Sequence, residues 1–247
     1  MNRIAIVAAL AAAVSASSVH ADANLSKLRE TVQQHVGQKG RVTSVAATPY
    51  AGIYEVVINN SQIGYTDARG QVFIAGNMFD FKTSTNLSER RLEELRKVDF
   101  SKLPLDKAIV KVKGTGARKI AVFSDPDCPF CKRLEPELDK LENVTIYTVL
   151  YPLTGLHPDA MRKATMVWCS PDRVQAWDDL MLRGKLPEGA SLSCPTPILE
   201  IIDLAKTLGI NGTPGIVFAD GHMVPGMIPL EQIESRLGRA VSAKPAS

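Results

Sequence analysis

The feature that most constrains this chain is a pair of cysteines separated by two residues, directly after a short apolar run. The run is Ile120-Ala121-Val122-Phe123, and the cysteines are Cys128 and Cys131. Cysteines at positions i and i+3 lie on one face of a helix, close enough for their sulfurs to form a short-loop disulfide. The pattern therefore predicts a redox-active pair where a strand passes into a helix.

The first cysteine, Cys128, is expected at the N-terminus of that helix. Unpaired N–H groups and the positive end of the helix dipole stabilise a thiolate there. We therefore predict that Cys128 is the nucleophile and that Cys131 resolves the mixed disulfide. The dipeptide between them, Pro129-Phe130, tunes the thiolate and the reduction potential. Asp127 is expected to cap the helix, although its charge opposes formation of the neighbouring thiolate.

Three other uses of this spacing remain open from the residues alone. A zinc site needs a second pair of ligands, and the other two cysteines, Cys169 and Cys194, lie far apart in the chain. Haem attachment needs a histidine where Lys132 stands. A purely structural disulfide in so short a loop constrains the unfolded chain little. The motif favours a redox pair over these alternatives.

Composition and charge exclude several classes of function. Of the 247 residues, 45% are hydrophobic and 22% charged, as in ordinary globular proteins. The net charge is only +3, so we expect no nucleic-acid partner. The sequence shows no Walker loop and no dinucleotide fingerprint, and His35, His157 and His222 are expected at the surface without ligand spacing. We therefore expect no cofactor and no metal.

The N-terminus has the pattern of a secretory signal peptide. Arg3 precedes an apolar run from Ile4 to Val14, and small residues lead to Val19-His20-Ala21. We expect cleavage after Ala21 or, as a second choice, after Ala23; the alternative is a membrane-anchoring helix that is retained. No later segment has about 18 uncharged apolar residues, so we expect no stable membrane insertion of the mature chain.

Export changes the interpretation of the cysteines, because disulfides persist outside the cytosol. The chain has four cysteines, which allow three pairings. Pairing Cys128 with Cys131 leaves Cys169 with Cys194, in a bond that would contribute roughly 3 kcal/mol through loop closure. We expect this second pair to be structural, because neither member lies in a short redox spacing.

The first part of the mature chain has the pattern of a small domain. Apolar residues at helical spacing from Leu25 to Val36 predict a helix, and an alternating pattern from Arg41 to Phe81 predicts an antiparallel sheet. A unit of about 60 residues buries little surface, so we predict that it dimerises. The alternative is a sheet that packs only on its own second domain.

A connecting region and a second domain follow. A capping box, Asn86 to Glu89, begins a mostly polar helix that Pro104 ends, and the glycines and basic residues from Lys111 to Arg118 predict a linker. The strand at Ile120, the motif helix and a strand from Val144 to Leu150 then form a right-handed parallel crossover.

The sequence pattern in the rest of the second domain predicts more helices and a hairpin. Helices are expected over Asp159 to Arg183, over Pro197 to Leu208 and from Leu230 onwards. Thr213-Pro214 precedes the strand Ile216-Val217-Phe218. A proline entering a strand removes a donor, so we favour a cis bond before it.

This order of elements is similar to the thioredoxin fold, and the exported two-domain form resembles the periplasmic disulfide isomerases DsbC and DsbG. The segments that carry the resemblance are Phe123-Ser124-Asp125, Trp168-Cys169, Gly212-Thr213-Pro214 and Val224-Pro225-Gly226. The Pro129-Phe130 dipeptide is closer to DsbG, whereas the second cysteine pair is similar to the structural disulfide of DsbC.

Pattern and resemblance together predict an α+β chain in five segments. They are a signal peptide (1–21), a small antiparallel-sheet dimerisation domain (22–84), a linker helix and connector (85–115), a thioredoxin-fold catalytic domain with a helical insertion (116–241) and a disordered tail (242–247).

The resemblance implies a V-shaped homodimer whose cleft binds misfolded, disulfide-containing exported proteins in the periplasm. Cys128 would attack a wrong disulfide, Cys131 would release a substrate that fails to rearrange, and Thr213 and Pro214 would pair with a substrate strand. A membrane reductase of the DsbD type would keep the pair reduced. Two alternatives are a DsbG-like reductase of sulfenylated cysteines and a holdase chaperone with incidental cysteines.

Overall fold

The computed structural model describes residues 13–189 and 191–242. They form two compact units, one ending at Leu95 and the other beginning at Arg96. The first twelve residues of the predicted signal peptide lie outside the described residues, as do residues 243–247 of the predicted tail (242–247), whereas Ser242 is the last residue of a helix. Within the described ranges, no helix combines the length and the apolar character needed to cross a membrane.

The N-terminal unit is an antiparallel sheet with a helix at each end of the sequence. It begins with α1 (Ala13–Val36). The sheet strands follow in chain order: β1 (Val42–Ala47), β2 (Ile53–Ile58), β3 (Gln62–Asp67) and β4 (Phe73–Ala75). A short hairpin, β5 (Phe79–Asp80) and β6 (Thr85–Asn86), leads into α2 (Leu87–Leu95).

Local sequence accounts for this unit. Leu28 and Val32 lie on one face of α1 and are buried in a cluster with Val56 of β2, as their helical spacing predicts. The β2–β3 hairpin turns through Asn59 and Asn60, whose φ angles of 53° and 55° suit asparagine. The predicted small antiparallel sheet is therefore confirmed.

The C-terminal unit contains a five-stranded sheet in the order β11-β10-β8-β9-β7. Its strands are β7 (Ile109–Lys113), β8 (Arg118–Ser124), β9 (Val144–Leu150), β10 (Gly215–Phe218) and β11 (Met223–Pro225). Its helices are α3 (Pro129–Asp139), α4 (Ala160–Trp168), α5 (Arg173–Arg183), α6 (Ile198–Thr207) and α7 (Leu230–Ser242). Only the β8–β9 pair is parallel, and α3 joins these two strands.

The central strand β8 is buried on both faces. Ile120 and Val122 pack with α3 and α7, whereas Ala121 and Phe123 pack with α6. Since neither face meets water, the strand is a continuous apolar run rather than an alternating one. The carboxyl end of this well-packed strand carries the cysteine motif.

The connector predicted over 85–115 differs from the structure. Strand β7 lies inside it and pairs antiparallel with β9, so the sheet begins before residue 116. Gly114 and Gly116, with φ angles of 56° and 65°, belong to the tight connection between β7 and β8 and do not form a linker. The boundary between the two units instead falls between Leu95 and Arg96 in the sequence.

Two helix predictions also need correction. The helix that was expected to end at Pro104 ends at Leu95. The single helix expected over Asp159 to Arg183 is two helices, α4 and α5. The second one has its own N-cap, because the Asp172 side chain accepts a hydrogen bond from the Gln175 N–H at 2.9 Å.

Candidate active site

The two motif cysteines lie at the start of α3. Cys128 is the N-cap of the helix, with extended backbone angles, and Pro129 occupies the first turn. Both cysteines are free thiols and both are buried, Cys131 completely. N–H groups in the first turn have no acceptor within the helix, so they are available to an anion at the N-cap. This position suits a reactive thiolate.

The predicted Thr213-Pro214 segment lies against the first cysteine. The Thr213–Pro214 bond is cis, and the Cys128 S–H group donates to the Thr213 carbonyl oxygen, with 3.4 Å between sulfur and oxygen. The Pro214 carbonyl in turn accepts the Gly226 N–H at 2.7 Å. The backbone of this loop therefore lies directly beside the Cys128 sulfur.

The second cysteine is a buried thiol with a raised pKa. Burial raises the pKa of Cys131 to about 12, and the Ser124 hydroxyl and the Asp125 backbone oppose this rise only in part. A thiol with such a pKa remains protonated at neutral pH. Cys131 can become a nucleophile only when a base or a change in its surroundings removes that proton.

Asp125 links the motif loop to the loop that contains Leu153 and His157, and no local sequence pattern indicates this link. This fully buried carboxylate accepts the Asp127 N–H at 2.7 Å and the Cys128 N–H at 3.2 Å through one oxygen. Its other oxygen accepts the Leu153 N–H at 2.6 Å and contacts His157 Nδ1 at 3.0 Å. The carboxylate therefore fixes the backbone on which Cys128 is carried.

His157 was expected to be a surface residue, and this expectation is wrong. Its ring is partly buried and pairs with Asp125 across 32 positions of sequence. The aspartate could have been suspected from sequence, since a carboxylate just before a helix often binds nearby N–H groups. No local pattern indicates its histidine partner.

Asp127 has a different role from the N-cap that the sequence predicts. Cys128 occupies the N-cap position, and the Asp127 carboxylate instead binds the Lys163 ammonium on α4, with Nζ 2.5 Å from Oδ1. Lys132 lies farther away, with its Nζ at 3.9 Å. The charge beside Cys128 is therefore paired.

The dipeptide between the cysteines forms an apolar rim. Phe130 is half exposed, and the Arg133 guanidinium stacks on its ring at 4.5 Å from the centroid. Pro129 is also exposed.

Cys169 and Cys194 are joined by a disulfide, with 5.8 Å between their Cα atoms. The bond links the end of α4 to the segment before α6. Beside it, the Trp168 Nε1–H donates to the Pro195 carbonyl at 3.2 Å, and the Arg173 guanidinium lies over the Trp168 ring. The bond closes the helical insertion and is separate from the free cysteine pair.

The part of the chain that the structure describes contains no cluster of three or more histidine, cysteine, aspartate or glutamate side chains with the geometry of a metal site. Near the two cysteines, the Asp125 carboxylate accepts the Cys128 and Leu153 N–H groups, and the Cys128 S–H group donates to the Thr213 carbonyl oxygen.

Comparison with known protein families gives two matches along the chain. A family described as a thioredoxin-like domain matches residues 105–240. A second family, described as the disulfide bond isomerase protein N-terminal domain, matches residues 19–89. The thioredoxin-like match begins before β7, which agrees with a sheet that includes this strand.

Individual relatives are similar over most of the chain. A probable thiol:disulfide interchange protein DsbC from Bordetella parapertussis is 40% identical over 196 residues, covering 79% of this chain and 68% of the relative. The thiol:disulfide interchange protein DsbC from Escherichia coli is 27% identical over 210 residues, covering 83% of this chain and 86% of the relative. The crystal structure of a disulfide interchange protein from Neisseria gonorrhoeae matches with a TM-score of 0.54 and 50% identity, over 56% of this chain and 98% of that one.

Proposed function

This chain belongs to the DsbC family of thiol:disulfide interchange proteins, and we propose that Cys128 and Cys131 carry out its disulfide exchange on misfolded exported proteins. The observation that carries this proposal is the pair of free cysteines at the N-terminus of α3, beside the cis Thr213–Pro214 bond. The chain is a thiol–disulfide oxidoreductase by family.

In the first step, the Cys128 thiolate attacks one sulfur of a substrate disulfide. A bond forms between Cys128 Sγ and that sulfur, the substrate S–S bond breaks, and the second substrate sulfur leaves as a thiolate. Isomerisation is complete when a substrate thiolate attacks the substrate sulfur of this mixed disulfide. The Cys128 thiolate is then restored, with no net oxidation or reduction.

In the second route, Cys131 loses its proton and attacks Cys128 Sγ. A Cys128–Cys131 disulfide forms, and the substrate leaves as a dithiol. Two electrons in total have passed from the enzyme to the substrate. Because burial raises the pKa of Cys131 to about 12, this escape is slow at neutral pH. The mixed disulfide therefore persists long enough for the substrate to rearrange, which favours isomerisation over simple reduction.

Thr213 and Pro214 bind the substrate chain in this proposal. The cis peptide lies next to Cys128, and extended peptides commonly bind proteins by backbone pairing. Phe130 and Pro129 add apolar contact at the rim of the site. The oxidised enzyme would be returned to the dithiol form by a membrane reductase of the DsbD type.

We further propose that the protein is a homodimer, joined by its N-terminal domains. Strand β4 has only β3 as a neighbour among the described strands, and its side chains are exposed, Phe73 by 50% and Ile74 by 53%. An apolar edge strand pairs readily with another chain. Export to the periplasm, with cleavage after Ala21 or Ala23, completes the proposal.

The test is the recovery of activity by a scrambled multi-disulfide ribonuclease in the presence of the reduced, mature protein. We expect recovery with the wild type and none with Cys128→Ala, because the attacking sulfur is lost. Cys131→Ala should retain part of the isomerase activity.

Full activity of Cys128→Ala would overturn the proposal. A wild type that leaves the ribonuclease scrambled while reducing a sulfenylated cysteine would support the DsbG-like reductase instead. The holdase would be supported by two results together. The wild type would show no disulfide exchange, and a variant that lacks both Cys128 and Cys131 would still suppress aggregation.

A further inference from the structure

A carboxylate lies immediately before the proposed nucleophile. Asp127 precedes Cys128 in the chain, and its side chain is only 18% exposed, so that water and salt screen its charge weakly. A negative charge on the residue adjacent to a cysteine disfavours the thiolate, since like charges repel. Without compensation, Asp127 would make Cys128 a poorer nucleophile.

The compensating charge is Lys163. Its ammonium lies 2.5 Å from Asp127 Oδ1, and its side chain is 20% exposed. Hydrogen bonding to Asp127 raises the pKa of Lys163, so the ammonium remains charged. Lys132 is farther from the same carboxylate, at 3.9 Å, and is more exposed. Lys163 is therefore the principal partner of Asp127.

A second carboxylate near Lys163 is held by another cation. Asp159 Oδ2 lies 3.4 Å from the Lys163 ammonium, but both Asp159 oxygens accept hydrogen bonds from Arg162, each at 2.7 Å. Arg162 thus neutralises Asp159 and leaves Lys163 to Asp127. The remaining charged group of the motif loop, Asp125, is engaged with backbone N–H groups and His157.

We propose that Lys163 is a positioning residue for disulfide exchange, which keeps Cys128 reactive by holding and neutralising the Asp127 carboxylate. The inference rests on the proposed function of Cys128 and adds a control of its reactivity from a different helix. Lys163 acts through Asp127. The ion pair also links the N-terminus of α3 to α4, and it adds to the hydrogen bonds by which Asp125 holds the backbone of the motif loop.

The test measures the alkylation rate of Cys128 by iodoacetamide at pH 7, in a Cys131→Ala background that leaves Cys128 as the free thiol. Lys163→Met should lower this rate about three- to tenfold, because Asp127 is then uncompensated. Lys163→Arg should keep a rate close to that of the parent. Removing the carboxylate as well, in Asp127→Asn/Lys163→Met, should restore the rate.

Restoration in the double variant separates an electrostatic role from a structural one. An unchanged rate in Lys163→Met would overturn the inference, as would a loss that Asp127→Asn fails to repair in a variant whose circular dichroism spectrum matches the parent. These outcomes are independent of the proposed function. If the wild type failed to rescue scrambled ribonuclease, the proposed function would be wrong. The alkylation rates would still show whether Lys163 controls the reactivity of Cys128.

Discussion

Among single residues, Glu135 is the buried carboxyl whose surroundings most affect its chemistry. It lies on the inner face of α3, and its Oε1 accepts the Trp177 Nε1–H at 2.9 Å. Burial raises the pKa of Glu135 to about 7, while the Trp177 hydrogen bond opposes the rise. The folded protein therefore keeps a proton on this group under conditions where the unfolded chain has released it.

This carboxyl should make stability depend on pH. The unfolded side chain loses its proton near its ordinary pKa of 4.5, and the folded one near 7. Between these values the native state binds more protons, so the free energy of unfolding falls as pH rises, by roughly 3 kcal/mol in total, and levels off above the folded pKa. Glu135→Gln retains an oxygen acceptor for Trp177 and cannot ionise.

We therefore expect Glu135→Gln to be more stable than the wild type at pH 8 and to lose this advantage towards pH 4.5. Urea unfolding across this range, followed by tryptophan fluorescence, measures the difference. Glu142→Gln, at an exposed position, is the matched control and should track the wild type. A constant difference between Glu135→Gln and wild type at all pH values would contradict the account.

The sequence predicted the placement of residues where the signal is local. The spacing of Cys128 and Cys131 lies within one helical turn and placed them at the start of α3, and the proline before β10 indicated the cis bond. Pairs formed across elements were missed, because their members lie far apart in the chain. His157–Asp125, Lys163–Asp127 and Trp177–Glu135 span 32, 36 and 42 positions.

Among the elements, β8 and β7 show what a sequence pattern can and cannot reveal. β8 was predicted because burial on both faces makes it uniformly apolar. The end of β7 falls in the segment interpreted as a linker, because two glycines and a basic cluster occur between Lys111 and Arg118. The structure explains the first of these basic residues, since Lys111 binds Asp139 of α3 and Asp178 of α5, at 3.0 and 2.8 Å. Such an ion pair appears only once the helices are packed.

The edge strand β4 carries a prediction about assembly. If β4 joins two copies of the chain, a charge at Ile74 should block association, because it would be buried between strands without a partner. We expect Ile74→Asp to be monomeric and the wild type dimeric in sedimentation equilibrium. The alkylation rate of Cys128 should be unchanged, since the thioredoxin-like domain is a separate unit.

Leu199→Asp provides the control for this substitution. Leu199 is an exposed leucine of α6, in the other unit, so the same charge there should leave the dimer intact. A dimeric Ile74→Asp variant, or dissociation of the Leu199→Asp control, would exclude β4 as the interface.

For the whole molecule, the α+β class and the two-domain order followed from sequence because each domain has its own periodicity. The boundary between the units did not. The predicted connector of 85–115 mixes α2, the last element of one unit, with β7, the first strand of the other. Composition alone cannot separate a polar helix and a lysine-rich edge strand from a linker.

The disulfide between Cys169 and Cys194 bears on the stability of the fold. Cys169 and Cys194 close a loop with a separation of 25 residues, which stabilises a fold by roughly 3 kcal/mol in the chain-entropy view. In the proposed function, Cys128 and Cys131 carry out the exchange, whereas the Cys169–Cys194 disulfide stays closed.

The most direct measurement is to capture the mixed disulfide itself. The reduced Cys131→Ala protein is mixed with scrambled ribonuclease, quenched in acid and digested, and the cross-linked peptides are identified by mass spectrometry. We expect a disulfide between Cys128 and a substrate cysteine to accumulate, because the Cys131 escape route is closed. A cross-link at any cysteine other than Cys128, or exchange without a cross-link, would contradict the assignment of Cys128 as the nucleophile.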